Sequence, residues 1–302
     1  EVTDTTANPD LDLHECIRYG KDKGVGIILW LTWICVERNL GTLFATYADW
    51  GVAGAKIDFM NRQDQWMINW YERTVKEAAK HHLVVDFHGA MKPAGLEVRY
   101  PNLLAYEAVR GLEQMSGCQP DNTVYIPFIR NAVGAADFTP GAMVNTQPEF
   151  DKWSDPNCSA VGTRAYSMAL FTVMETGTQM LADSPTQYYK NAECTEFITQ
   201  VPCTWDETRA LQAKFGEYII VAKRNGRKWF VAGICNGKEN TRHFKIPLDF
   251  LSAGNHSMTI VTDGFNAGNQ AMDYRLNKQE VTSSTVLDIT MVRNGGFTAI
   301  IE

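Results

Sequence analysis

The strongest constraint on the fold is a repeated alternation, over the first two thirds of the chain, of short apolar runs with longer helical stretches. Apolar runs of strand length lie at residues 25–31, 52–59, 83–88, 102–107 and 123–128. Helical patterns lie at residues 40–50, 63–80 and 163–175, with shorter elements at residues 179–182 and 196–201. This order is typical of successive β-α units around a parallel sheet. We therefore predict an α/β fold, a (β/α)8 TIM-type barrel.

The helical stretches differ in how much of their surface is apolar. Residues 63–80 place one aromatic-rich face at helical spacing, made of Trp66, Met67, Trp70, Tyr71, Thr74 and Val75, which predicts a stripe facing the core. Residues 163–175 are apolar nearly all round, which predicts a helix buried on every side. About six or seven of the eight barrel units are visible, and only a short polar lead precedes Leu13, so we expect the first strand to be missing.

From about residue 216 the pattern changes to short β-rich segments without a long helical period. The Asn225-Gly226 dipeptide between two such segments is a strong hairpin signal. Further strand-like segments lie at residues 244–248, 258–262, 286–292 and 297–301, bounded by glycine-rich turns. We predict a catalytic barrel at residues 1–212 and a C-terminal all-β domain, an antiparallel β-sandwich, at residues 213–302.

Charge and hydropathy exclude several classes of partner. The chain carries 28 basic and 35 acidic residues, a net charge of −7, so we expect no binding to nucleic acid or to an anionic membrane surface. No apolar run reaches the roughly 18 to 20 residues of a membrane-spanning helix. The first residues, Glu1 to Asp4, lack the basic and apolar regions of a signal peptide, so we expect any signal to have been removed or to lie upstream.

The cysteine pattern argues against a structural zinc site or a redox motif, because no two cysteines have CxxC spacing. Two alternatives stay open: buried or half-buried thiols, or one or two disulfides with Cys194 and Cys203 as the nearest pair. The seven cysteines are Cys16, Cys35, Cys118, Cys158, Cys194, Cys203 and Cys235. The chain also lacks a glycine-rich nucleotide loop and a GxSxG nucleophile elbow.

Candidate catalytic groups follow the predicted strands, because barrel enzymes carry their chemistry at the carboxyl ends of the strands. Asp58 ends an apolar run, where an unpaired charge is costly unless it faces a polar cavity or a partner. Lys56 points to the same side as Asp58. Two interpretations stay open: a Lys56–Asp58 ion pair, or a nucleophilic Asp58 whose carboxylate Lys56 helps to keep ionised.

A second acidic group lies at Glu107 and Glu113, on either side of Arg110. Glycoside hydrolysis needs two carboxyl groups, one protonated and one ionised, and acids from different strand ends meet that requirement. A surface ion-pair cluster is the alternative. The same two glutamates offer the hard oxygen ligands that calcium prefers. Trp30, with Trp33 and Phe87, is placed to stack on a sugar ring, or else belongs to the core or rim.

Eight stretches in order over residues 24–210 resemble glycoside hydrolase family 97. They are GVAGAKIDFM (51–60), VDFHG (85–89), RYPN (99–102), EAVRGLE (107–113), DFTPGAM (137–143), GTR (162–164), ADSP (182–185) and VPCTWDET (201–208). The resemblance implies an exo-acting α-glycosidase with an N-terminal β-sandwich, a (β/α)8 barrel and a C-terminal all-β domain. The chain matches only the last two, so we expect the sandwich and the first barrel strand to be absent.

The resemblance also implies roles for individual residues. Asp58 matches the nucleophile of the retaining branch, and Glu113 matches its general acid/base. Gly89 stands where the inverting branch places a glutamate that serves as base. Glu107 matches a calcium-coordinating position, and calcium is therefore the expected cofactor, with Glu113 as a further ligand. Lys56, His88 and Arg110 are expected to bind substrate or support the site, with Trp30 as an aromatic contact.

The expected activity is that of a retaining exo-acting α-galactosidase, which hydrolyses terminal α-galactosyl residues of an oligosaccharide or galactoside. An α-glucosidase or a β-L-arabinopyranosidase of the same family is the alternative within this class. A non-catalytic carbohydrate-binding barrel fragment is the alternative from another class. By analogy with the family, we expect a periplasmic or secreted protein.

Overall fold

A computed structural model describes residues 5–151 and 159–302. Glu1 to Asp4 and Cys158, which enter the predictions above, lie outside the described residues. The chain divides into two compact units: residues 1–108, 133–137 and 176–178 form the first, and residues 109–132, 138–175 and 179–302 form the second. In the described ranges, no helix is both long enough and apolar enough to cross a membrane.

The first unit is built from β-α repeats around a parallel sheet. Its four strands pair in chain order, and each of the three pairs is parallel. The elements are α1 (Leu13–Asp22), β1 (Ile28–Thr32), α2 (Trp33–Trp50), β2 (Gly54–Asp58), α3 (Gln65–Lys80), β3 (Val84–Phe87), α4 (Leu96–Arg99) and β4 (Leu103–Tyr106). This arrangement confirms the α/β prediction and is consistent with part of a (β/α) barrel.

Helix α3 shows how the local sequence produces this unit. The Asp64 side chain caps the helix by accepting the N–H of Met67 at 3.0 Å. The predicted apolar face is buried at Met67, Trp70, Tyr71, Thr74 and Val75. The prediction fails at Trp66, which is 39% exposed. Two arginines, Arg62 and Arg73, lie over the Trp66 indole, so this ring packs at the surface against cations.

The second unit begins with short helices: a 3₁₀ helix at Leu112–Gly117, α5 (Pro120–Thr123) and α6 (Ile126–Ile129). The predicted strand at residues 123–128 is therefore wrong. Pro120 and Pro127 occupy the first turns of α5 and α6, where a missing N–H costs nothing, whereas a proline would remove a hydrogen bond from a strand. The predicted element at residues 179–182 is neither helix nor strand.

The other elements before the C-terminal sheet are short, apart from one buried helix. They are 3₁₀ helices at Asn131–Val133 and Pro148–Phe150, β5 (Asn145–Thr146), β6 (Ala160–Val161), α7 (Arg164–Val173), α8 (Pro185–Lys190) and α9 (Ala192–Ile198). Strands β5 and β6 pair in parallel. Every residue of α7 is buried, which confirms the prediction for residues 163–175.

Side chains of the C-terminal strands anchor α7 at both ends. At its start, the buried Asp263 carboxyl accepts hydrogen bonds from the Thr163 hydroxyl at 2.5 Å and from the Val292 and Gly296 N–H groups. Burial raises the pKa of Asp263 to about 7, and these three bonds oppose that rise. At the other end, the buried Lys223 ammonium binds the Met174 carbonyl at 3.3 Å. These contacts hold the helix against the sheet.

The C-terminal strands form an antiparallel sandwich, as predicted. Six strands make one sheet in the order β12-β11-β14-β9-β8-β7, and β10 pairs with β13 in a second sheet. The strands are β7 (Glu207–Lys214), β8 (Tyr218–Asn225), β9 (Lys228–Cys235), β10 (Thr241–Pro247), β11 (His256–Asp263), β12 (Tyr274–Val281), β13 (Val286–Val292) and β14 (Gly296–Ile301). Inward-facing residues of both sheets form one core, with Phe244 and Ile289 from the smaller sheet and Val231 and Phe297 from the larger. The domain boundary at residues 212–213 stays a prediction.

The described cysteines are free thiols, so the disulfide alternative is wrong for Cys194 and Cys203. Cys118, Cys194 and Cys235 are buried, in agreement with the first alternative. Burial raises the pKa of the Cys235 thiol to about 12. Burial also raises the pKa of the Cys118 thiol, so these two thiols stay protonated and behave as small apolar groups.

Candidate active site

The parallel sheet of the first unit brings polar side chains to one edge. Asp58 is the last residue of β2, His88 follows the last residue of β3, and Glu107 follows the last residue of β4. Hydrogen bonds continue the ladder beyond the strands, from the His88 N–H to Ile57 and from the Glu107 N–H to Phe87, each at 2.8 Å. The sheet register therefore places Asp58, His88 and Glu107 at neighbouring strand ends.

The Asp58 carboxylate is buried and held at both oxygens. The Trp30 indole N–H donates to Oδ2 at 3.0 Å, and the backbone N–H of Phe59 donates to Oδ1 at 2.5 Å. The side chain is 5% exposed. These contacts fix the orientation of the carboxylate, which is the condition for its use in a directed reaction. The Lys56–Asp58 ion pair considered above does not form, because Lys56 binds a different carboxylate.

The Gly89 backbone packs directly against the Asp58 carboxylate. Its φ of +60° is in the left-handed region, and its N–H donates to Glu107 Oε2 at 2.7 Å. A β-carbon on Gly89 would lie 2.7 Å from Asp58 Oδ1 and 2.9 Å from the Phe59 nitrogen. A side chain at position 89 is therefore incompatible with the observed position of Asp58.

Lys56 and His88 share the Asp137 carboxylate. Lys56 Nζ lies 2.5 Å and His88 Nδ1 lies 2.7 Å from the same oxygen, Asp137 Oδ2, and Asp137 is completely buried. The chain reaches this position because the Asp137 N–H donates to the Tyr106 carbonyl at the end of β4. Asp137 thereby fixes two of the predicted substrate-binding side chains.

Asp86, on strand β3, and Asp137 are both buried acids, and their pKa values shift in opposite directions. Burial would raise the pKa of Asp137, but the hydrogen bond from His88 and the charge of Lys56 outweigh burial and hold it well below its ordinary value. Burial and the negative charge of Asp137 together raise the pKa of Asp86 well above its ordinary value. The negative charge of Asp137, which His88 and Lys56 stabilise, therefore makes ionisation of Asp86 less favourable.

Glu107 is a half-buried carboxylate next to His88. Its Oε1 lies 3.3 Å from His88 Nε2, while Oε2 accepts the Gly89 N–H. The His88 ring thus has Asp137 at one nitrogen and Glu107 at the other. A carboxylate with hard oxygen atoms fits calcium in donor chemistry.

Arg110 and Glu113 belong to the second unit, and both are exposed. Glu113 is the second residue of the 3₁₀ helix Leu112–Gly117, and its Oε1 accepts a hydrogen bond from the Gln114 amide at 3.3 Å. The exposure of Glu113 is compatible with an acid that meets substrate and water. Its catalytic role stays a prediction.

The aromatic residues at the strand ends divide into rim and core. Trp30 is 53% exposed and contacts Phe59 edge to face, with ring centroids 5.7 Å apart. Phe87 is fully buried among Trp70, Tyr71 and Tyr106, so for this ring the core interpretation holds and not the stacking one. Trp33 packs against Trp66 and Trp70. Of the three aromatics considered for stacking, Trp30 is exposed, Trp33 is half-buried and Phe87 is buried.

Glycoside hydrolases use this architecture: a parallel β-α sheet with carboxylates at the carboxyl ends of its strands, and an antiparallel C-terminal sandwich. Comparison with known proteins identifies the family within this class. Residues 1–109 match the sequence profile of glycoside hydrolase 97, and residues 204–302 match the profile described as glycosyl-hydrolase 97 C-terminal, oligomerisation. The chain belongs to glycoside hydrolase family 97.

Two curated relatives are similar over almost the whole chain. A retaining alpha-galactosidase of Bacteroides thetaiotaomicron is 38% identical over 295 residues, which is 95% of this chain. A probable retaining alpha-galactosidase of Streptomyces bingchenggensis is 32% identical over 306 residues, which is 99% of this chain. The chain spans 44% of the length of each of these relatives.

Solved structures give the same fold assignment. A glycoside hydrolase family 97 enzyme of Pseudoalteromonas sp. strain K8, in complex with acarbose, superposes with a TM-score of 0.87 at 27% identity, over 99% of this chain and 50% of that one. A beta-arabinopyranosidase superposes with a TM-score of 0.79 at 28% identity, over 95% of this chain and 48% of that one.

Proposed function

We propose that this chain is the catalytic part of a retaining exo-acting α-galactosidase. The observation that carries the proposal is the environment of Asp58, a carboxylate oriented by two N–H donors and bordered by Gly89. An inverting enzyme needs a base that activates water on the far side of the sugar. The family's glutamate for that task would require a side chain at position 89, where a β-carbon would collide with Asp58.

In the proposed reaction, Asp58 attacks the anomeric carbon while Glu113 donates a proton to the departing glycosidic oxygen. The carbon–oxygen bond to the leaving group breaks, and a covalent β-galactosyl ester of Asp58 forms. Glu113, now a carboxylate, removes a proton from water as the water oxygen attacks the same carbon. The ester bond to Asp58 breaks, and the sugar leaves with its original anomeric configuration.

The choice of galactose rests on the names of the two curated relatives. The likeness to a beta-arabinopyranosidase supports a second candidate, because β-L-arabinopyranose has the ring configuration of α-D-galactopyranose without the hydroxymethyl group. Both sugars present the same axial hydroxyl to the site. The family resemblance further implies an N-terminal β-sandwich and a periplasmic or secreted location, and both stay predictions.

Retention is tested by following the first-formed sugar by proton NMR. With the full-length protein and an aryl α-galactoside, we expect α-galactose to appear before mutarotation produces the β-anomer. Aryl β-L-arabinopyranoside and α-glucoside, offered in parallel, rank the substrate classes by kcat/KM. First formation of the β-anomer would contradict the double displacement, and sugar binding without hydrolysis would support a non-catalytic barrel.

We also propose that calcium binds through Glu107 and Glu113, where it would add positive charge beside the reacting sugar. Removal of calcium with a chelator is expected to lower the Tm by several degrees, since a ligand that binds only the folded state stabilises it. Added calcium should restore the Tm, and zinc should not, because the proposed ligands are carboxylates.

The calcium titration is repeated with Glu107→Gln and with Glu37→Gln, a change of the same kind on helix α2. Calorimetry should detect calcium binding to the wild type and to Glu37→Gln, with at least tenfold weaker binding to Glu107→Gln. Equal affinity in all three proteins would exclude Glu107 as a ligand.

A further inference from the structure

Phe59 has an unfavourable backbone conformation and an unfavourable exposure for a phenylalanine. Its φ of +65° is in the left-handed region, which is costly for a bulky residue. Its side chain is 59% exposed, so burial in the core does not repay that cost. Glycine or asparagine would suit this backbone better, and neither burial in the core nor local propensity explains a phenylalanine here.

The left-handed backbone of Phe59 positions the Asp58 carboxylate. It directs the Phe59 N–H back to Asp58 Oδ1, so the residue after the candidate nucleophile holds one of its oxygens. The Gly89 backbone packs closely on the other side, since a β-carbon there would lie 3.2 Å from Phe59 Cα. Such strain persists only where surrounding contacts impose it, and it is frequent at active sites.

The ring of Phe59 extends the exposed aromatic surface that begins at Trp30. The two rings meet edge to face at an interplanar angle of 85°, and the Trp30 indole binds the other oxygen of Asp58. A sugar whose anomeric carbon lies about 3 to 3.5 Å from an Asp58 oxygen must come close to both rings. Exposed aromatic faces bind the C–H faces of pyranose rings, which are apolar.

We propose that Phe59 is a substrate-contacting residue that selects pyranosides by the apolar face of the ring, while its strained backbone positions Asp58. The inference rests on the proposed function only in taking Asp58 as the group at the anomeric carbon. The backbone contact and the ring then act together: one orients the carboxylate and the other places the sugar above it.

The test separates the ring from the backbone by replacing Phe59 with glycine. Phe59→Gly removes the ring and relieves the left-handed strain, so we expect an unchanged or higher Tm. At the same time, KM for an aryl α-galactoside should rise about tenfold to a hundredfold, with a smaller change in kcat. Phe59→Tyr keeps the aromatic face and should retain KM within about threefold of the wild-type value.

His82→Gly is the matched control. His82 also has a left-handed φ, +57°, and is exposed, but it lies before β3, at the end of that strand opposite His88. This variant should change the Tm in the same direction as Phe59→Gly and leave KM unchanged. If both variants leave KM within about threefold of the wild-type value, Phe59 does not contact substrate.

A binding measurement keeps the contact testable if no galactoside is hydrolysed. Absence of hydrolysis by the wild type would reject the proposed function alone. Calorimetry with galactose, arabinose and glucose should then detect binding to the wild type and at least tenfold weaker binding to Phe59→Gly. Equal affinities in the two proteins, or no binding of any of the three sugars to the wild type, would reject the aromatic contact.

Discussion

Replacement of Asp58 by asparagine or glycine is expected to lower kcat for an aryl α-galactoside by three or more orders of magnitude (~10³ or greater). The reason is chemical, because an amide or a hydrogen atom cannot form the covalent ester with the anomeric carbon. Asparagine keeps an oxygen that accepts one of the N–H groups of Trp30 and Phe59, so the fold of the first unit should survive. Steady-state kinetics and circular dichroism of the full-length protein measure the two effects separately.

Azide, a small external nucleophile, distinguishes a catalytic nucleophile from a carboxylate with only a structural role. Azide fits into the space that Asp58→Gly opens and can attack the anomeric carbon directly, so we expect it to restore turnover of an activated substrate and to give β-galactosyl azide. Asp49→Asn, an exposed change of the same kind on helix α2, should be fully active. Activity of Asp58→Asn within tenfold of the wild type would mean that another residue is the nucleophile.

The elements around Asp58 were predictable because burial leaves a clear record in the sequence. Strands of a parallel sheet are covered on both faces, so they appear as continuous apolar runs, and β2 and β3 fall within the predicted ranges. Helix α2 begins at Trp33, seven residues before the predicted start at residue 40. The predicted apolar run at residues 25–31 ends one residue before strand β1 does, and β1 passes directly into the helix.

The two edge strands of the six-stranded C-terminal sheet lack a continuous apolar run in the sequence and were not predicted. Strand β12 contains Arg275, Lys278 and Glu280, and most of its residues are exposed. Strand β7 forms the other edge and is also largely exposed. Charged side chains are typical of sheet edges, because they oppose pairing with further strands. The apolar alternation that identifies an inner strand is therefore weak in both segments.

The residues of the candidate site were predictable from the sequence, but the contacts between their side chains were not. Asp58, His88 and Glu107 follow recognisable strands, so their convergence could be inferred. The sequence offered no means to assign Lys56 to Asp137, which is 81 residues away, in place of Asp58, which is two residues away. The role of Phe59 depends on a single backbone angle, and phenylalanine gives no signal for a left-handed conformation.

Replacement of Glu113 by glutamine is expected to have an effect that depends on the leaving group. For a galactoside of an ordinary alcohol, kcat/KM should fall by about three orders of magnitude, because the departing oxygen needs a proton. For a galactoside of a strongly acidic phenol such as dinitrophenol, the first step needs little proton donation and kcat/KM should change much less. The second step still needs a base, so the galactosyl-enzyme should accumulate, with a burst of phenol and a lowered KM.

The leaving-group comparison separates proton transfer from the other role proposed for Glu113. Loss of a calcium ligand or of local structure would slow both substrates by similar factors and would produce no burst, whereas loss of the acid/base slows them unequally. Every assay contains saturating calcium, which controls for metal loss. Glu239→Gln, an exposed glutamate change in the same unit, controls for the substitution itself.

Azide added to Glu113→Ala should capture the intermediate as α-galactosyl azide, opposite to the β-product expected with Asp58→Gly. The two anomers would thus assign the two carboxyl groups to opposite faces of the sugar, and the same anomer from both variants would contradict the double displacement.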